Sequence, residues 1–244
     1  MPIDPNAASE EITSAVRSEG DRARAEIEKR YLKSELEHFG TSVPVIRKVA
    51  KGYLRDNRQI SRRELLPIVQ RLWDRRVHEC RMAAVELLSQ RGDLLDLRDA
   101  GLVGRLIRES KTWALVDALA ITVAGDLVTH FSEMNDVLDE WAEDPDFWIR
   151  RSALLALLKP LRAGEGDFAR FGRYADTMLD ETEFFIRKAI GWVLRETSKK
   201  QPGLVYEWLA PRAERASGVT VLEAVKYLPR GQAQRIITAH KRPR

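Results

Sequence analysis

Apolar residues recur along the chain at spacings of three and four, and nowhere do they alternate with polar ones over the length of a strand. That period predicts helices near 8–18, 21–37, 43–56, 61–73, 76–91, 99–109, 112–130, 133–143, 146–161, 167–180, 182–199, 203–214 and 219–228. Start signals support several of them. Thr41 and Ser42 precede Val43-Pro44, the pattern of a hydroxyl cap with proline in the first turn. Ser61 and Glu64 have capping-box spacing. Asp144-Pro145 and Pro202-Gly203 punctuate the later helices, and the stretch 162–167 (RAGEGD) reads as a loop between two of them.

The helices also repeat. FWIRRSALLAL (147–157) lies in register with FFIRKAIGWVL (184–194) at an offset of 37, pairing Phe147 with Phe184, Ile149 with Ile186 and Arg150 with Arg187. An offset of 36 carries Ile149 and Ala153 back to Trp113 and Asp117, and about 33 further back lies HECRMAAVELL (78–88). A helical unit of this length cannot bury its apolar face alone, so stacked neighbours must supply the core. The expectation is an all-α fold, an α-solenoid of HEAT-like repeats with a concave groove. Residues 1–244 would form one such domain, with 1–7 and 230–244 as candidate disordered ends. A compact helical bundle is the competing architecture.

Equivalent helices should carry interchangeable apolar residues, so the exceptions carry information. Asp117 interrupts W-A-L-V-D-A-L-A-I where its repeat counterpart is Ala153. A carboxylate in such company costs free energy unless it is paired or faces a cavity. Trp113, four residues earlier, shares its face. Trp192 is the second exception. It follows Gly191, a residue that costs a helix about 1 kcal/mol relative to alanine and allows something bulky to approach, either another helix or a nucleic-acid backbone. Lys188, Trp192 and Arg195 form one stripe, suited to an aromatic surface flanked by phosphate contacts and equally to a core indole with cations passing beside it. Arg150 and Arg151 are the third exception. Both phosphate contact and ion pairing are open to them.

Charge sharpens the choice of partner. The net charge of +4 conceals 13 basic and 6 acidic side chains in residues 181–244, against 28 and 31 in residues 1–180. A positive segment on a near-neutral body suits an anionic partner, and a solvated basic surface is the plainer account. The lone Cys80 permits no internal disulfide, the N-terminal segment is acidic without an apolar signal core, and the most apolar run is interrupted by Asp117 and Asp126. A soluble cytoplasmic protein is expected, with no membrane partner. Phosphate-loop, dinucleotide-binding, zinc-protease and serine-hydrolase motifs are absent, and His38, His78, His130 and His240 are scattered, so neither metal nor cofactor is expected.

Five segments together resemble one family: YLKSELEHFGTSVPVIRKVAK (31–51), RLWDRRVHECRMAAVELL (71–88), KTWALVDALAITVAGDL (111–127), FWIRRSALL (147–155) and EFFIRKAIGWVLRE (183–196). They are similar to the AlkD-like DNA alkylation repair glycosylases, all-helical HEAT-like repeat enzymes, over about Tyr31 to Leu228. The resemblance implies a monofunctional enzyme that removes cationic N3- and N7-alkylpurines from double-stranded DNA without flipping the base into a pocket, acting as a monomer. It implies Trp113, Asp117 and Trp192 as the catalytic set. Arg151 falls at the family's arginine that contacts the DNA backbone, with Lys188, Arg195 and Tyr31 placed beside it as DNA-binding residues. Thr112 and Ala114 depart from the family's usual aromatic and acidic residues at those places, which bears on substrate range. A non-catalytic helical-repeat scaffold that binds protein or DNA, and a catalytically idle DNA-damage binder, are the alternatives.

Overall fold

The helix His78–Gln90 is buried on almost every side, and each charged residue it takes inside has a partner. Glu79 accepts the backbone amides of Phe39 and Gly40 at 3.0 and 2.6 Å. Arg81 donates to the carbonyls of Trp73 and Glu109 and stacks over the Trp73 ring at 4.7 Å. Glu86 receives a bidentate pair from Arg47. Around this helix pack Val43–Asp56, Arg62–Asp74 and Pro5–Ser18. Ala100–Ser110 and Trp113–Ala118 pack on one another, and the latter also reaches His78–Gln90.

These helices belong to the first of two compact units, Met1–Leu119, in a computed structural model that describes residues 3–241. The second unit, Ala120–Arg244, is organised around Phe184–Ser198. That helix packs on Phe147–Ala156, Leu158–Ala163, Pro202–Leu209 and Gly218–Ala224. The 37-residue repeat is visible in its details. Asp146 and Glu183 each cap a helix by accepting the amide two residues on, from Trp148 and Phe185. The aromatic pairs that open the two helices lie against one another, with Trp148 and Phe185 ring centroids 4.8 Å apart and Phe147 stacked on Phe185 at 6.4 Å. The fold is all-α and of helical-repeat type. Among the described residues the one β feature is an isolated parallel bridge between Glu37 and Val77.

Several boundaries differ from the pattern-based expectation. The helix drawn over 21–37 ends at Leu32, because Lys33 adopts the left-handed conformation, φ 49°, and turns the chain. The run 112–130 has a π-helical segment, Leu119–Ala124, between Trp113–Ala118 and Gly125–His130. The helix at 146–161 breaks at Leu157, and 203–214 and 219–228 finish as short 3-10 turns. Pro5–Ser18 starts three residues early, with Asp4 as its cap. Arg230–His240 is a helix where a tail was expected; residues 242–244 lie outside the described residues, as do 1 and 2.

The Ser61–Glu64 capping box forms as read, with Ser61 N and Oγ at 3.0 and 2.7 Å from Glu64 Oε2. The hydroxyl cap before Val43 does not: Ser42 makes no side-chain cap bond, and Thr41 donates instead to the Val16 carbonyl at 2.7 Å. Trp113–His130 also corrects the sequence view of apolar runs. By length and composition alone it could cross a membrane. Its apolarity has another use here, since Leu115, Val116, Leu119, Ala120, Val123, Ala124 and Leu127 are all buried within the protein's own packing.

Candidate functional site

The residues singled out from the sequence divide between the units. Tyr31, Trp113 and Asp117 lie in the first, and Arg151, Lys188, Trp192 and Arg195 in the second.

In the first unit, the turn between Ala100–Ser110 and Trp113–Ala118 puts Trp113 at the first position of its helix, with Thr112 as the N-cap residue. Trp113 is half-buried. The exposed ring of Tyr31 meets it edge to face, 6.0 Å between centroids at 88°. Asp117 follows one turn later, also half-buried, whereas its repeat counterpart Ala153 is fully buried. The helix therefore has a core face at Leu115 and Val116, and Trp113 and Asp117 lie off it.

In the second unit, Trp192 is half-buried on Phe184–Ser198, and Gly191 before it is explained by packing. A Cβ at Gly191 would stand 2.8 Å from Glu223 Cβ and 3.1 Å from the Thr220 backbone, so the glycine admits the helix Gly218–Ala224. Of the two partners the sequence left open, the structure places a helix there. Thr220 ties the contact by donating to the Arg187 carbonyl at 3.0 Å.

That helix also brings a group the sequence reading did not include. Glu223 pairs with Lys188 at 2.6 Å, with Lys226 at 2.9 Å and with Arg195. Burial works to raise its carboxyl, but the bonds from Lys188 and Lys226 and the charges of Lys188 and Arg195 prevail and hold it down at about 2. Glu223 thus neutralises part of the charge of Lys188, Arg195 and Lys226, and Arg195 also pairs with Glu196 at 3.3 Å. The signal was an acidic residue inside the apolar run V-T-V-L-E-A-V, which the fold places opposite the Lys188–Arg195 stripe.

Arg151 is 3% exposed. It donates to the Phe185 carbonyl and stacks over the Phe185 ring at 5.7 Å, so its guanidinium is held within the packing. Its neighbour Arg150 is committed to Glu181 at 2.8 Å.

The scattered histidines include two that the fold joins. His38 and His78 stack at 4.6 Å and 6°. Both nitrogens of His38 and Nδ1 of His78 are buried without hydrogen-bond partners among the described residues. Burial, then the charges of His38 and Arg81, push His78 down to about 3. Ligand atoms of Glu28, His38 and Glu79 lie within 4.8 Å of one another. Glu28 is paired with Arg24 and Glu79 with two backbone amides, so these carboxylates already serve to hold the chain.

Acid should therefore weaken the first unit early. His78 binds a proton in the unfolded chain below its ordinary value of 6.5 but not in the folded chain until about pH 3, so stability is lost as pH falls between them. Glu223 gives the second unit a separate loss, from 4.5 down to about 2. Urea melts at stepped pH should show a steeper acid slope for the native protein than for His78→Phe between pH 6.5 and 4.5. Equal slopes would contradict this assignment.

A family model described as "DNA alkylation repair enzyme" matches residues 12–228, which include every one of these side chains. The chain belongs to the DNA alkylation repair enzyme family. Among solved structures, it is similar to a predicted DNA alkylation repair enzyme from Enterococcus faecalis, with a TM-score of 0.79 and 22% identity over 87% of this chain and 98% of that one. It is also similar to AlkD2 from Streptococcus mutans, with a TM-score of 0.61 and 19% identity over 85% and 98%. No curated protein matches the chain. At these identities the solved structures establish the shared helical fold, and the family match carries membership.

Proposed function

We propose that this member of the family is a monofunctional DNA glycosylase, hydrolysing the N-glycosidic bond of N3- and N7-alkylated purines in duplex DNA. The observation that carries the reading is Asp117, a half-buried carboxylate one turn from a half-buried indole, at a helix position whose counterpart Ala153 is core. Alkylation at N3 or N7 makes the purine cationic. When the C1′–N9 bond breaks, the base leaves with the electron pair and becomes neutral, so no general acid is needed. Positive charge develops on the deoxyribose instead, and a fixed carboxylate stabilises it. Asp117 takes that role and orients the water that attacks C1′. Trp113 and Trp192 offer indole faces to the cationic sugar, each worth about 0.5–2 kcal/mol. Arg151, Lys188 and Arg195 are assigned to phosphates, which fix register without reading sequence. The base stays outside any pocket in this scheme.

The test is release of 7-methylguanine and 3-methyladenine from duplex DNA. A glycosylase frees at least one of them and leaves abasic sites without strand cleavage. A well-folded protein that frees neither is not a glycosylase, and a scaffold or idle binder then becomes the better account.

A further inference from the structure

Three residues other than glycine have positive φ among the described residues: Lys33 at 49°, Arg76 at 55° and Lys111 at 49°. All are basic, all are exposed, and all follow the end of a helix, after Arg22–Leu32, Arg62–Asp74 and Ala100–Ser110. Such positions ordinarily go to glycine, because a Cβ is strained there. A lysine could complement the helix dipole equally well from within the last turn, in relaxed backbone. The three also converge, lining one cavity of about 630 Å³ in the first unit. Arg81 and Thr112 line it too. Of the two carboxylates in the lining, Glu109 already accepts from the Trp73 indole at 2.7 Å and pairs with Arg105. The cavity is net positive and adjoins Trp113 through Thr112.

We infer that this cavity is a phosphodiester site that grips the duplex backbone next to Trp113. The inference rests on the DNA-binding half of the proposed function and is independent of base release. Lys33, Arg76 and Lys111 supply the charge. The left-handed turns bring the three basic residues to the lining of one space, which gives the retained strain a use.

Glycine separates this role from a structural one, since it keeps the turn and removes the charge. Binding of undamaged duplex DNA is measured by anisotropy over a salt series for the native protein, Lys33→Gly, Lys111→Gly and the double variant. Each lysine replacement should weaken binding several-fold and reduce the log–log salt slope by about 0.9, and Lys33→Gly should leave the melting temperature unchanged or raised. An unchanged slope in the double variant overturns the inference, as does a loss of melting temperature without loss of affinity. Inorganic phosphate serves as a second probe at matched ionic strength. If it raises the melting temperature of the native protein but not of the double variant, while the duplex slope is unchanged, the site takes a free anion and the duplex assignment fails. Native protein that binds duplex but releases no base would defeat the glycosylase reading and leave this one standing.

Discussion

Asp117→Asn should lower the rate of 7-methylguanine release by about 10²–10³-fold, the scale for removing one preorganised electrostatic partner from a transition state. Affinity for undamaged duplex should change by less than about two-fold. Asparagine keeps the shape and the hydrogen-bonding oxygen of aspartate and removes the charge, so the separation of rate from binding isolates the electrostatic contribution. The control is a melting curve, because Asp117 also has interactions within the folded protein. Single-turnover release on a duplex with one lesion is the measurement. A variant that cleaves at the native rate would remove Asp117 from the mechanism, whatever its effect on stability.

The second large effect is on folding. Gly191→Ala gains about 1 kcal/mol of helix propensity but forces a Cβ to within 2.8 Å of Glu223 Cβ and 3.1 Å of the Thr220 backbone. None of these atoms is the far end of a flexible side chain, so the helix Gly218–Ala224 must shift. Overpacking of this kind costs about 1–3 kcal/mol, and the net sign is destabilising. Gly191→Val should be worse than alanine and should disturb the Glu223 ion pairs as well. Gly52, inside Val43–Asp56, is the opposite case: a Cβ there would meet nothing within 4 Å, so Gly52→Ala should be stabilising by about 0.5–1 kcal/mol. Urea denaturation of the two alanine variants should move in opposite directions. Movement in the same direction would mean that the interhelical contact does not control the response at Gly191.

What could be read in advance was whatever local spacing encodes. The repeat over 147–157 and 184–194 was legible because the aromatic openings, the caps and the apolar faces recur together. Asp117 was legible because its neighbours in sequence are apolar. Glu223 needed the fold: it lies 35 residues from Lys188 and 28 from Arg195, and only close helix packing unites them. The same holds for the His38–His78 stack, where an isolated bridge joins distant loops. The helix Arg230–His240 is not legible in the sequence because Ile236 is its one buried residue, too little apolar pattern to mark a helix. Lys33, Arg76 and Lys111 were invisible for a different reason. Left-handed backbone is announced in sequence by glycine or asparagine, and a basic residue there gives no warning.

Glu79 has a kinetic consequence. Its fully buried carboxylate holds the amides of Phe39 and Gly40, so a segment without regular structure is fastened to the most enclosed helix of its unit. That segment cannot open alone without leaving a buried charge unsatisfied. Hydrogen exchange at Phe39 and Gly40 should therefore be as slow as in His78–Gln90, and the two should open as one cooperative block despite the 40 residues between them. The connection after Lys33 would then move on the timescale of unfolding rather than that of loops.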